Sequence, residues 1–226
     1  MLDLSENSLG KSLITCGLIF TIIIFLWPVL MAISSLNGNV EMQLEQIRQN
    51  PVPFRLNFVW AFFIAPSLAS LLITIALFLK TTKTTIVLNS MGLFFLLPYV
   101  ILVSIAYTSQ FTLVTNSLLE GDLSQAAQWY FGNFYSIAYF LNQLGYAFFA
   151  LSGFFIAYRF LFEKGVMRLW GWLLYLSSFL SIIAFICLVL NNKELNKVTV
   201  LSGLCILPLG IIAVIIGLKL RKENRK

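Results

Sequence analysis

The sequence predicts an all-α polytopic membrane protein, a bundle of six transmembrane helices. Of its 226 residues, 59% are hydrophobic and 11% are charged, and the mean hydropathy is +0.90. Soluble domains carry about a quarter charged residues, so this chain lies outside their range. Its uncharged runs are each long enough to span a bilayer. They cover about residues 12–36, 57–79, 85–107, 134–158, 169–190 and 198–218, and residues 1–226 are expected to form one domain.

The distribution of lysine and arginine predicts the orientation of the bundle. With both termini in the cytoplasm, eleven of the fifteen cationic residues lie inside, and only Arg48, Arg55, Lys193 and Lys197 lie outside. Cytoplasmic loops of membrane proteins carry such an excess of positive charge. This N-in and C-in arrangement accounts for the net charge of +6. We therefore expect no nucleic-acid partner.

The first apolar run is expected to be a retained helix, since it is too long for the apolar core of a secretory signal. A short surface helix is predicted after it, because Val40, Leu44 and Ile47 share one helical face before Asn50 and Pro51. A second surface helix is predicted over about residues 124–131, in an external segment that contains no lysine or arginine. Its aromatic residues are typical either of an interfacial belt or of a lid, and the pattern does not decide between them.

The fourth span combines the length of a membrane helix with two adjacent carboxamides. At helical spacing, Tyr139, Asn142, Gln143 and Tyr146 share a face with small residues, while the opposite face is rich in phenylalanine and leucine. A carboxamide is costly in hydrocarbon unless it finds a polar partner. The first face is therefore predicted to point into the bundle or into a wet cavity.

Five spans carry a proline or the amide pair at a similar depth. Pro28, Pro66, Pro98 and Pro208, together with the amides, are each about eight to ten residues from the expected outer end of their helix. Such a layer predicts an outward-facing cavity, where freed backbone groups need polar partners. The alternative is that prolines simply concentrate near helix middles. The predicted ligand-binding residues are Tyr139, Asn142, Gln143, Tyr146, Ser67, Ser70 and Ser178.

The sixth span has glycines at seven-residue intervals. Gly203, Gly210 and Gly217 fall on nearly one helical face. Small residues at this spacing let the backbones of two membrane helices approach closely. The pattern predicts a close-packing seam.

The residue types that are missing restrict the possible chemistry. The sequence has no histidine, and the predicted spans contain no aspartate or glutamate. This removes histidine-based triads and disfavours haem, catalytic zinc and carboxylate proton relays. We expect no metal and no cofactor. Whether the chain is an enzyme stays open, but the missing groups weigh against it.

The order of these features resembles a known family. The segments NPVPFRLNF before the second span and KGVMRLWGWLLYLSSFLSII before the fifth, with the short external helix between the first two spans, are similar to a family of six-helix bacterial membrane proteins, domain of unknown function 4386. The resemblance covers about residues 12–190. It implies a multi-pass protein of a bacterial plasma membrane and supplies no activity.

Two functions remain open at this point. In the first, the outward-facing pocket binds, or helps to transport, an apolar or lipid-like ligand. In the second, the chain is a structural or regulatory membrane protein that acts through a protein partner. Membrane lipids surround it in either case.

Overall fold

A computed structural model describes residues 6–78, 83–192 and 196–223 of the chain. These residues form eleven α-helices and one π-helical turn, Gln110–Val114. The α-helices are α1 (Glu6–Ile33), α2 (Val40–Gln49), α3 (Pro51–Ala61), α4 (Ile64–Phe78), α5 (Lys83–Ser109), α6 (Thr115–Glu120), α7 (Leu123–Trp129), α8 (Ile137–Phe160), α9 (Val166–Val189), α10 (Asn196–Ile206) and α11 (Leu209–Glu223). The described part of the chain is thus all-α.

Six helical segments among the described residues are long and apolar enough to cross a membrane. They are α1, α3 with α4, α5 with the π-helical turn and α6, α8, α9, and α10 with α11. The predicted number of spans is therefore confirmed, and the chain is a multi-pass membrane protein. Each span packs on its neighbours in sequence, and α11 returns to pack on α1. The six spans accordingly form a closed ring.

The third and fourth spans have bounds that differ from the prediction. The third was expected to end at residue 107, but its helix continues through the π-helical turn and α6 to Glu120. The added residues are uncharged until Glu120, so nothing in their composition stops the helix at 107. The fourth begins at Ile137 and not at residue 134, because Ser136 caps it by accepting a hydrogen bond from the Tyr139 backbone N–H at 3.1 Å.

The proline positions break two spans and leave two continuous. The second span is interrupted at Phe62 and Phe63, just before Pro66, and the sixth at Leu207 and Pro208. Pro28 and Pro98 lie inside continuous helices. Because proline cannot donate to the helix ladder, interruptions at these points follow from its chemistry.

One end of the bundle carries a cap, which we define as residues 34–50 and 110–136. Both predicted surface helices are present in it, as α2 and α7. They are capped by Asn39 and Asp122, whose side chains accept backbone hydrogen bonds at 2.9 Å from Met42 and Gln125. The cap has a small apolar core, to which it contributes Leu44, Ile47, Val114, Leu118, Ala126 and Tyr130 and to which α3 contributes Phe54. The face predicted for α2 therefore packs on protein rather than on a membrane surface.

The half of the bundle away from the cap is closed by large buried side chains. Leu13, Leu72, Phe160 and Trp170 are fully buried there. The Trp170 indole N–H donates to the Leu209 carbonyl at 3.2 Å, beside the break between α10 and α11. This packing leaves the central space of the ring confined to the half nearer the cap.

Four of the cationic residues used to predict orientation lie outside the described residues. They are Lys80, Lys193, Arg225 and Lys226. The remaining charges lie near the ends of the spans, with Arg48 paired to Glu45 in the cap at 3.5 Å.

Candidate functional site: a central cavity beneath the cap

The ring of helices encloses a cavity of about 350 Å³ in the half nearer the cap. At about 30 Å³ per molecule, this volume equals that of roughly twelve waters. All six spans contribute to its wall, together with Phe131 of the cap. The lining residues are Ile24, Trp27, Met31, Ile64, Leu68, Tyr107, Phe131, Tyr139, Asn142, Gln143, Tyr146, Ser181, Ala184, Thr199, Val200, Ser202, Gly203 and Ile206.

The amide pair of α8 lies in this wall, with each side chain only 2% exposed. The Gln143 Nε2 group donates to the Tyr139 hydroxyl at 3.2 Å and lies 3.5 Å from Thr199 Oγ1 of α10. Among the described residues, neither Asn142 Oδ1 nor Gln143 Oε1 has a hydrogen-bond donor. Buried carboxamide oxygens normally have a partner. The cavity therefore holds two unmet acceptors.

Aromatic side chains surround the amides. Phe131 lies at the cap side, with ring centroids 5.8 Å from Tyr107 and 5.6 Å from Tyr139. Tyr146 packs edge-on against Tyr99 at 5.5 Å. Trp27 of α1 lines the cavity, and its buried indole N–H has no acceptor among the described residues. The wall thus combines aromatic surface with one unmet donor as well as two unmet acceptors.

A cluster of buried serines joins α9 to α10 at the edge of the cavity. Ser202 Oγ is 3.1 Å from Ser177 Oγ and 2.8 Å from Ser181 Oγ. Because these hydroxyls satisfy one another, the cluster holds two helices together and leaves little free hydrogen-bonding capacity for a ligand.

Four of the seven predicted site residues line this cavity, namely Tyr139, Asn142, Gln143 and Tyr146. The three serines expected to join them, Ser67, Ser70 and Ser178, lie outside its lining. The proline layer does not form the wall either, since none of the prolines is among the lining residues.

The three serines instead bond to carbonyls of their own helices. Ser67 Oγ donates to the Ile64 carbonyl at 3.0 Å, Ser70 Oγ to that of Pro66 at 2.8 Å, and Ser178 Oγ to that of Leu174 at 2.8 Å. Such back-bonding is common for hydroxyls within helices. Ser70 is also exposed on the bundle surface, and Ser178 packs against Gly153 of α8. The structure therefore does not bring these three serines together with the amides at the central cavity.

The roof of the cavity is held in place by Gln110 of the π-helical turn, which is fully buried. Its Nε2 donates to the Trp129 carbonyl, and its Oε1 accepts from the Phe131 backbone N–H, each at 2.8 Å. Above Phe131 lies a second hollow of about 300 Å³, which shares Met31 and Phe131 with the cavity below. These two side chains therefore separate the cavity from the hollow in the cap.

The cavity also reaches the side of the bundle between α1 and α10. α1 packs along α11 but is not packed extensively on α10. Met31 and Val200, which line the cavity from these two helices, are 46% and 65% exposed. The cavity is therefore partly open at the surface of the bundle between these two helices.

The chemistry of the wall suits binding rather than bond breaking. None of its lining residues carries a charge. The polar groups that it does present are amides, hydroxyls and one indole N–H. Pockets with mostly apolar walls and a few fixed polar groups are typical of small-molecule sites.

Comparison with known proteins bears on the resemblance noted in the sequence. A family model described as "Domain of unknown function (DUF4386)" matches residues 14–220. The chain belongs to this family. No curated protein and no solved structure matches the chain. Membership in the family therefore confirms the resemblance, extends it through the sixth span, and assigns no activity.

Sequence reasoning missed several residues of the wall. Trp27, Phe131, Thr199 and Gly203 all line the cavity, and none was predicted to do so. Ser177 and Ser181 are spaced four apart on α9, which was a usable signal that both face one neighbour. No comparable signal marked Phe131, because its place depends on how the cap folds over the bundle.

Proposed function

We propose that this membrane protein binds an apolar or lipid-like ligand in the central cavity. The observation that carries the proposal is a cavity with two deeply buried amides whose oxygens find no donor among the described residues. A packed structural core would bury such groups only with partners. The aromatic wall and the gap between α1 and α10 support a ligand that is mainly apolar.

We further infer that the cap lies on the outer face of a bacterial plasma membrane, which makes the cavity outward-facing. The excess of lysine and arginine at the opposite end supports this orientation. The family resemblance supports the bacterial setting. Transport of the ligand is an extension of this proposal, in which the ligand enters through the gap between α1 and α10 and a displacement of Met31 and Phe131 joins the cavity to the cap hollow.

Filling the cavity tests the proposal directly. Gly203 lines the cavity, and a Cβ added there would meet no heavy atom within 4 Å. Gly203→Phe should therefore occupy the space without displacing the backbone. Native mass spectrometry after mild purification should show lipid-sized molecules retained by the wild type, with retention at least tenfold lower in Gly203→Phe.

Gly203→Ala is the matched control and should retain the same molecules as the wild type. Equal retention by wild type and Gly203→Phe would contradict the proposal. A stoichiometric protein that co-purifies with both, without retained lipid, would instead favour a structural or regulatory role through a partner.

A further inference from the structure

The side chains that line the cavity indicate which class of ligand it binds. The inference below rests on the binding function proposed above. We propose that the ligand is a neutral, single-chain amphiphile whose polar end is a hydroxyl. The hydroxyl lies between Asn142, Gln143 and Trp27, and the chain runs along the aromatic wall towards the gap between α1 and α10.

The absence of charge in the wall selects a neutral ligand. No lining residue is acidic or basic within the described part of the chain. A charged headgroup would lose its hydration on entering this space and would gain no counter-charge. Aromatic rings attract a quaternary ammonium group through cation–π interactions. A quaternary ammonium ligand would leave both amide oxygens without a donor, however, because its nitrogen carries no hydrogen.

The unpaired polar groups of the cavity wall favour a ligand whose polar end both donates and accepts hydrogen bonds. Asn142 Oδ1 and Gln143 Oε1 need donors, and Trp27 Nε1 needs an acceptor. Rotating either carboxamide by 180° about its last bond exchanges its oxygen with its nitrogen. The unpaired group would then be an N–H donor, which needs an acceptor. A hydroxyl fits either arrangement, because it donates one hydrogen bond, which one of the two amide oxygens accepts, and it has two acceptor sites of its own. An ether only accepts, and a hydrocarbon does neither.

The remaining wall selects an apolar chain. Ile24, Leu68 and Ile206 line the cavity beside the aromatic side chains. Val200 also lines it and is exposed at the surface of the bundle, so the apolar wall continues to the outside. The volume of about 350 Å³ suits one chain rather than the two of a typical membrane lipid. The bilayer is thus a direct source of such an amphiphile.

Binding of tritiated 1-dodecanol to the protein in phosphatidylcholine nanodiscs tests the inference, with empty nanodiscs as the background. We expect saturable binding of one molecule per protein. Unlabelled dodecyl methyl ether and dodecane should compete at least tenfold more weakly than unlabelled dodecanol. This comparison uses the wild type alone, so it does not depend on whether a variant folds.

The double variant N142L/Q143L should reduce dodecanol binding at least tenfold. The matched control is Q49L/N50L, which makes the same pair of changes at exposed positions of the cap. Undiminished binding by N142L/Q143L would overturn the assignment of the hydroxyl to the amides.

Other outcomes also separate the two proposals. Equal competition by the ether and the alcohol would overturn the hydroxyl class and leave an apolar binding site standing. Stronger competition by dodecyltrimethylammonium would overturn it in favour of a cation site. Saturable binding by none of the probes would overturn the inference, while lipid retention by the wild type and its loss in Gly203→Phe would still support the proposed function.

Discussion

Tyr130 links the two parts of the cap through a single side chain. Its hydroxyl donates to Gln43 Oε1 of α2 at 2.6 Å, and its ring lies 6.1 Å from that of Phe54. The residue is 4% exposed. Burial raises the pKa of Tyr130 to about 12, because the tyrosinate anion would lose its hydration. The neutral phenol is therefore part of the folded cap.

The raised pKa predicts how the stability of the cap depends on pH. Tyrosine in an unfolded chain has a pKa of about 10, so Tyr130 loses its proton at a higher pH in the folded state than in the unfolded state. The stabilising contribution is complete below about pH 10 and is lost as the pH rises from about 10 to 12. Thermal unfolding of the wild type should show this decline, and Tyr130→Phe should show less of it.

At neutral pH, Tyr130→Phe should cost about 1 kcal/mol through the lost hydrogen bond. Tyr158→Phe, at a residue that is 51% exposed, is the matched control and should leave the stability at neutral pH unchanged. The same decline in Tyr130→Phe as in the wild type would refute the assignment of this pH dependence to Tyr130.

At the scale of the helices, glycines of the sixth span pack closely against glycines of α1. A Cβ at Gly210 would lie 2.8 Å from the Gly17 carbonyl oxygen, and one at Gly217 would lie 2.7 Å from that of Gly10. These four residues pair antiparallel helices at seven-residue spacing. The predicted seam is therefore present at Gly210 and Gly217, whereas Gly203 faces the cavity and does not belong to it.

The seam predicts unequal tolerance of two glycines on the same span. Gly210→Leu should destabilise the protein by about 1–3 kcal/mol or more, because the side chain meets backbone that cannot move aside. Gly203→Leu enters open space and should be tolerated. Thermal unfolding of both variants in detergent provides the measurement.

A similar loss of stability in both variants would show that the seam has no special role.

For the whole molecule, the ring order explains why a cavity forms where it does. Six spans packed in sequence enclose a central axis, which large side chains such as Trp170 fill only in the half away from the cap. α1 packs on α11 in that half, whereas in the half nearer the cap it is not packed extensively on α10. The cap then covers the remaining space with Phe131.

The orientation of the molecule is open to a direct test. After the three native cysteines are replaced, cysteines introduced at Asn50, Glu120 and Asn192 should react with an impermeant thiol reagent in intact cells. Cysteines at Lys164 and Lys222 should react only after the cells are lysed. The reverse pattern would place the cap in the cytoplasm and exclude an outward-facing cavity.

The number of spans, the two surface helices and the inward face of α8 were all predictable from the sequence. Each depends on the length of an uncharged run or on helical periodicity, and these are local properties of the chain. The amides were also identifiable as inward-facing, because hydrocarbon makes the alternative costly. The continuation of the third span to Glu120 was not predicted, since the π-helical turn depends on contacts of Gln110 with the cap.

Only the tertiary structure decided which residues meet at the cavity. Trp27, Phe131, Thr199 and Gly203 come from separate segments, and their meeting depends on the order and rotation of the helices. Ser67 and Ser70 were predicted to lie at the cavity but do not line it. Each donates a hydrogen bond to a carbonyl of its own helix instead. Periodicity assigns a residue to a face of one helix, but the packing of all six spans determines what that face meets.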